Sequence, residues 1–416
     1  MLLKNANYLN NDFNVVHGDI FIENGTISLN EQNINKAEEI IDCSDYWIIP
    51  GLFNSHYHGY SLLAKGIVKD MKIEEWNNNS DQGEIQKKFF ENLDKITAKE
   101  YQVICMKSYI DMVKCGITFV SDSDPGNCPD ILAEGICKIG MRGLIDTYGK
   151  IKDYENKKIG EITFGTHLLE EEDITDETLA SVVQSKRKHN SLFLTHCMEN
   201  EWRRDLIYSK YEKSSVALYN ESGLLDDKTI LFHGVYLNEE DIRHISTANA
   251  SVVHCPVANL WSGAGAIAPV GAMLENDVNV CLGTDFASTN IWETMKIAYL
   301  LLKLNNPAYK YTAEHIFKMA TRNSAKAYKQ NNIGSIQENY KADLVFIKKD
   351  KSIPNIEKDH FSTVIHNLIM ETTENSVQHV MINGKWVLFD RQLLTIDEEA
   401  HNHKYIELLN RIYKNI

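Results

Sequence analysis

The chain has 416 residues, with 43 Lys and Arg against 58 Asp and Glu, a formal charge of −15. That acidic balance excludes the basic footprint of a nucleic-acid binder, and no apolar run approaches the length of a membrane-spanning helix. A hydrophobic fraction of 43% and eight scattered cysteines, none in a Cys-x-x-Cys pair, describe a globular protein with a large core and no disulfide framework.

The opening Met1-Leu-Leu-Lys-Asn-Ala-Asn lacks the apolar core of a signal peptide, so a soluble, cytoplasmic setting is expected. Residues 1 to 46 alternate apolar and polar, and Glu23-Asn24-Gly25-Thr26 predicts a hairpin turn. From Trp47 the chain reads Trp-Ile-Ile-Pro-Gly-Leu-Phe-Asn-Ser-His-Tyr-His-Gly. In an extended strand, residues i and i+2 share a face, so His56 and His58 aim two imidazoles at one point, which suits a Zn-type ion. The plainer alternative is a pair of surface histidines bracketing Tyr57.

Between about 50 and 335 the rhythm changes. Eight β-rich runs are separated by helical-period segments: 48–58, 116–121, 143–148, 161–167, 191–196, 229–233, 251–255 and 280–285. Helices are predicted over 99–114, 175–189, 238–248 and 312–329, the last capped by Thr312. Only Gly149 to Gly160 separates the third and fourth runs, which predicts a stub of a helix there. The C-terminal part returns to strands, at 342–347 and 377–388, with a turn at Asn383-Gly384. The expected fold is α/β: a (β/α)8 TIM-like barrel over 50–335, with a small β-sandwich module built from 1–49 and 336–416.

Polar residues fall where the predicted barrel strands end. His56 and His58 close the first, His167 the fourth, His196 the fifth, His233 the sixth, His254 the seventh and Asp285 the eighth. One buried histidine is ordinarily a hydrogen-bonded core residue. A His or Asp at six of eight strand ends, which converge on the active site of such barrels, argues for a metal centre.

The ordered set Pro50-Gly-Leu-x-x-x-His-x-His, His196-Cys-Met-Glu199, His233-Gly-Val, His254-Cys-Pro-x-x-Asn-Leu, Ser262-Gly and Leu282-Gly-Thr-Asp285 resembles the amidohydrolase superfamily. Within it, the pattern is similar to the branch of cytosine, guanine and S-adenosylhomocysteine deaminases and triazine hydrolases. The resemblance implies one divalent ion, zinc or else iron, held by His56, His58, His196 and Asp285. No lysine ends strand four to bridge a second ion. Such an ion lowers the pKa of its water from about 15.7 toward 7, making hydroxide available at neutral pH. Asp285 is then expected to take the water's proton, Glu199 to protonate a ring nitrogen and the leaving ammonia, and His233 to stabilise the tetrahedral intermediate.

For the substrate, Glu74 and Trp76 match a segment that in adenosine-type relatives reaches ribose hydroxyls and base, and His167 matches a substrate-contacting histidine. The chain departs from the family at His167-Leu-Leu-Glu170, where His-Ser/Ala-Pro-Tyr is common. The resulting expectation is an aminohydrolase of an N-heterocycle, such as a purine or purine nucleoside, working on a small molecule without nucleic acid or membrane and forming a homodimer or larger homo-oligomer. The alternatives are displacement of halide, alkylamine or methylthio from a triazine-like ring, cyclic amide hydrolysis, and, more distantly, a non-catalytic binding barrel.

Overall fold

A computed structural model describes residues 1–30, 38–76, 78–124, 126–167, 169–304, 306–358, 361–414 and 416. Eight parallel strands in chain order make the barrel: Leu52–Tyr57, Ile117–Asp122, Arg142–Asp146, Ile162–His167, Phe193–Cys197, Thr229–His233, Ser251–His254 and Asn279–Leu282. The eighth strand meets the first through a bridge between Tyr57 and Asp285, where the Asp285 N–H donates to the His56 carbonyl at 2.9 Å. Gly283 permits that approach, since a Cβ there would lie 2.9 Å from the His56 backbone nitrogen.

The run expected over 48–58 as one strand is two. Tyr46–Pro50 pairs with Leu344–Lys348 in the terminal sheet, and Leu52–Tyr57 pairs with the second barrel strand. The chain changes sheet at Gly51, whose N–H goes to the Asp343 carbonyl at 2.8 Å. A side chain is impossible there, because a Cβ would meet Thr118 Oγ1 at 2.2 Å.

Both chain ends supply the second sheet, of nine strands. Its two Asn-Gly hairpins have positive φ at both turn residues, 52° and 75° at Asn24-Gly25 and 52° and 72° at Asn383-Gly384, the mirror-image turn that matches strand twist. A feature the sequence reading leaves out is the helix Glu398–Tyr413, capped by Asp397 and tied to the barrel by Arg411–Glu100 at 2.7 Å.

One end of the barrel is filled by Phe53, Phe119, Leu144, Leu194, Ile230 and Phe232 packed on Tyr328, whose hydroxyl donates to the Ser55 carbonyl. The helix expected over 312–329 is interrupted to seat this plug. It splits into Ala313–Ala320 and Arg322–Ala327 around Thr321, at φ −133° and ψ −101°. The crossover after the third strand is the expected stub, Ile151–Tyr154. The polar strand ends collect at the other end.

Candidate active site

His56 is fully buried at the end of the first strand, and its ring stacks on Phe232 at 3.8 Å between centroids. His58, two residues on, lies edge-on to it at 4.9 Å, while Tyr57 points away to donate to Ser108 Oγ at 3.0 Å. His196 brings its ring to 4.9 Å from that of His56 and His233 to 5.5 Å. Nε2 of His56 and Nε2 of His58 each lie 3.3 Å from the same Asp285 oxygen, Oδ1.

The ring orientations are set from behind. His196 Nδ1 donates to Glu170 Oε1 at 2.8 Å, His233 Nδ1 to Asn259 Oδ1 at 2.8 Å, and His56 Nδ1 pairs with Ser123 Oγ at 3.1 Å. A partner on Nδ1 leaves the Nε2 lone pair for a ligand. Accordingly, Nε2 of His56 and of His233 is buried with no hydrogen-bond partner. Burial holds His56 well below the ordinary imidazole value despite Asp285, and lowers His196 despite Glu170. Both are therefore neutral. Burial opposes a proton on His58, but the Asp285 carboxylate outweighs it and lifts His58 to about 9, while burial of Asp285 is more than offset by His56 and His58, which hold it well below the carboxylate range. His56, His58 and Asp285 bring ligand atoms within 4.8 Å of one another, as do His56, His196 and His233, and such imidazole and carboxylate donors fit a zinc-type cation.

Strand alternation alone does not predict His233. Ile230 and Phe232 face the barrel interior and Leu231 the outer core, so the next residue but one after Leu231 would also face outward. His233 instead has φ 71°, and Asp285 has φ 61°. Left-handed backbone at a side chain other than glycine or asparagine is uncommon and costs about 1 kcal/mol or more. Both cases stand at strand ends that aim a functional group inward.

A cavity of about 230 Å³ opens above these groups. Its apolar wall is aromatic: Trp261 stacks on Phe286 at 5.9 Å and 18°, and Trp76 and Tyr60 pack on the same ring at 5.7 and 6.1 Å. Glu199, Asp285, His58 and His196 line its floor, together with Glu170 and Arg203.

A model of the Amidohydrolase family matches residues 47–387. The chain belongs to the amidohydrolase family. A 5-methylthioadenosine/S-adenosylhomocysteine deaminase of Pyrococcus furiosus is 31% identical, over 98% of this chain and 100% of that protein. Among solved structures, a zinc-bound adenosine deaminase from Xanthomonas campestris has a TM-score of 0.87 at 22% identity, covering 99% of this chain and 98% of its own. A zinc-complexed atrazine chlorohydrolase from Arthrobacter aurescens has a TM-score of 0.85 at 19% identity, covering 98% and 99%. The amidohydrolase barrel expected from the motifs is thus the fold observed, and the chain is a hydrolase of this metal-dependent family. No helix among the described residues is long and apolar enough to cross a membrane.

Of the expected substrate contacts, Trp76 lines the cavity. Glu74 sits on the short turn Ile73–Glu75 with its side chain 30% exposed, loosely paired with Lys72 at 3.9 Å, and is not among the lining residues of this amidohydrolase's cavity. His167 is buried behind it. Nδ1 donates to Asp146 Oδ2 at 2.7 Å, and Nε2 lies 2.9 Å from Glu170 Oε1 without a hydrogen bond to it. Burial disfavours a charge on His167, yet Asp146 and Glu170 raise it to about 10. Tyr148 lies parallel to its ring at 5.4 Å and takes a place in the lining.

Glu170 and Arg203 escaped the motif reading. Their signals were positional: Glu170 stands three residues after His167, and Arg203 is four after Glu199, one helical turn away. Phe286 directly follows Asp285, and Trp261 follows the Asn259-Leu260 pair of a quoted motif.

Proposed function

We propose that this amidohydrolase is an aminohydrolase of a purine-type ring, a purine or purine nucleoside, in which an amidine carbon becomes a carbonyl and ammonia is released. The observation that carries the reading is the place of His233 Nε2, 3.9 Å from Glu199 Oε1 and 3.8 Å from Asp285 Oδ2. Three groups able to move protons surround one point beside the ligand set.

His56, His58, His196 and Asp285 would hold one zinc or iron ion, whose chemistry when bound is to make a water nucleophilic at neutral pH. The aromatic wall of Trp76, Trp261 and Phe286 suits a flat ring slid between it and the floor. Asp285 accepts one proton of the attacking water at Oδ2. Glu199 accepts the other at Oε1 and passes it to the ring nitrogen beside the attacked carbon. His233 hydrogen-bonds the oxygen added at that carbon, and Asp285 returns its proton to the amino group as it leaves. Both water protons are thereby accounted for, one on the ring and one on ammonia. The reaction takes place within the unit 50–335, with 1–49 and 336–416 forming a separate structural module, in a cytoplasmic protein.

The names of the deaminase relatives support this reading over ring dehalogenation, for which the likeness at 19% identity speaks to fold alone. An ammonia-release screen over purines, purine nucleosides, pyrimidines, pterins and triazines tests it. Release from adenine-type compounds is expected. Release of another leaving group, with no ammonia from any of them, would replace it.

A further inference from the structure

Arg203 is buried, 7% exposed, and is the only Lys or Arg lining the cavity among the described residues. It lies in the helix Glu201–Tyr211, whose capping residue Asn200 accepts the Arg203 N–H at 2.9 Å. Its guanidinium faces three carboxylates. Nη1 donates to Glu199 Oε2 at 2.9 Å, Nη2 donates to Glu172 Oε1 at 2.6 Å, and Nη2 lies 3.2 Å from Glu170 Oε2. Glu170 in turn accepts from His196 Nδ1 on its other oxygen, and His167 Nε2 lies 2.9 Å from that same atom.

This makes the two oxygens of Glu199 unequal. Oε2 is held by a charge-assisted bond from a planar group that is itself fixed at three points. Oε1 is left facing His233. A carboxylate that receives and hands on a proton at one atom is effective only while that atom stays within hydrogen-bond reach of both partners. An unclamped glutamate rotates freely about its terminal bond and loses that aim.

We propose that Arg203 is a positioning residue, clamping Oε2 of Glu199 so that Oε1 alone addresses the reacting centre, and linking that clamp through Glu170 to the metal-facing ring of His196. The inference rests on the reading of Glu199 as proton carrier.

The test uses Arg203→Gln and Arg203→Lys, with Glu172→Ala as a variant that removes one anchor outside the cavity. Crystal structures are determined and steady-state rates are measured with adenosine as substrate. In Arg203→Gln, Glu199 Oε1 is expected to leave its place beside His233. With adenosine, kcat should fall about 100-fold and KM should change by less than about threefold. Arg203→Lys should recover part of the rate. Glu199 unmoved in the variant structure, or a rise in KM that matches the fall in kcat, would overturn the clamp. If Arg203→Gln does not fold, Arg203→Lys gives the same two readouts, and Glu172→Ala should show a smaller displacement in the same direction. Absence of turnover by the unaltered enzyme would instead defeat the deaminase reading, while the variant structures would still decide the clamp.

Discussion

Asp285 meets His56 twice: its backbone N–H donates to the His56 carbonyl at 2.9 Å, and its Oδ1 lies 3.3 Å from His56 Nε2. The first contact joins the eighth strand to the first. The second places a carboxylate beside two imidazoles. Closing the barrel thus also brings Asp285 to the imidazoles of the proposed ligand set, so that site forms only as the fold completes.

Metal removal should therefore be felt in stability. A ligand that binds the native state alone stabilises it by about 2.7 kcal/mol at a hundredfold excess over its Kd. Chelation is expected to lower the melting temperature, and restoring zinc to recover it. His58→Ala should bring the metal content, read by elemental mass spectrometry, well below one per chain. A full equivalent retained in that variant would remove His58 from the ligand set.

Glu199→Gln keeps the Arg203 contact through its amide oxygen but cannot carry a proton. Turnover should fall by about 10² to 10⁴ while metal content stays at the unaltered level. Parallel loss of metal and rate would make Glu199 structural.

Among the described residues, Arg203 is the one Lys or Arg in the cavity lining. Arg203 is already matched by Glu170, Glu172 and Glu199. Substrates with an uncharged 5′ group, such as adenosine or 5′-methylthioadenosine, are expected to have kcat/KM values at least about tenfold above that of adenosine monophosphate, since an unpaired phosphate beside these acids is penalised. Comparable values for all three would show that an anionic tail is met outside the cavity.

Glu171 gives a pH signature. It accepts both Oε bonds from the Met198 N–H, at 3.0 and 3.1 Å, and the Ser215 hydroxyl, and burial raises its carboxyl to about 7 from an ordinary value of 4.5. The folded state thus holds a proton that the unfolded state has lost. Its contribution is fully present below about 4.5 and is lost as pH rises toward 7. Glu171→Gln, neutral at every pH, should gain on the unaltered protein between pH 5 and 8 by up to about 3 kcal/mol in urea unfolding. A pH-independent difference would mean that Glu171 is ionised when folded.

Much of this architecture was written in local pattern. Strand runs such as 229–233, the two Asn-Gly turns and the stub after the third strand depend on neighbours in sequence, as turn chemistry and alternation do. His56 and His58 could be paired because two residues on a strand share a face whatever surrounds them. The split at Gly51 and the break at Thr321 could not be read, because each accompanies a contact far along the chain, Gly51 with Asp343 and Tyr328, just past the break, with Ser55. The same holds for the site. Strand spacing and motif order pointed to a metal-dependent hydrolase barrel, and the family resemblance they carry implied the ligand set proposed for its ion. Only the tertiary structure decided that His167 is enclosed by Asp146 and Glu170, that Glu74 stays outside the cavity, and that Arg203 grips Glu199, because charge pairing across loops is set by distance in space and leaves no periodic trace in the chain.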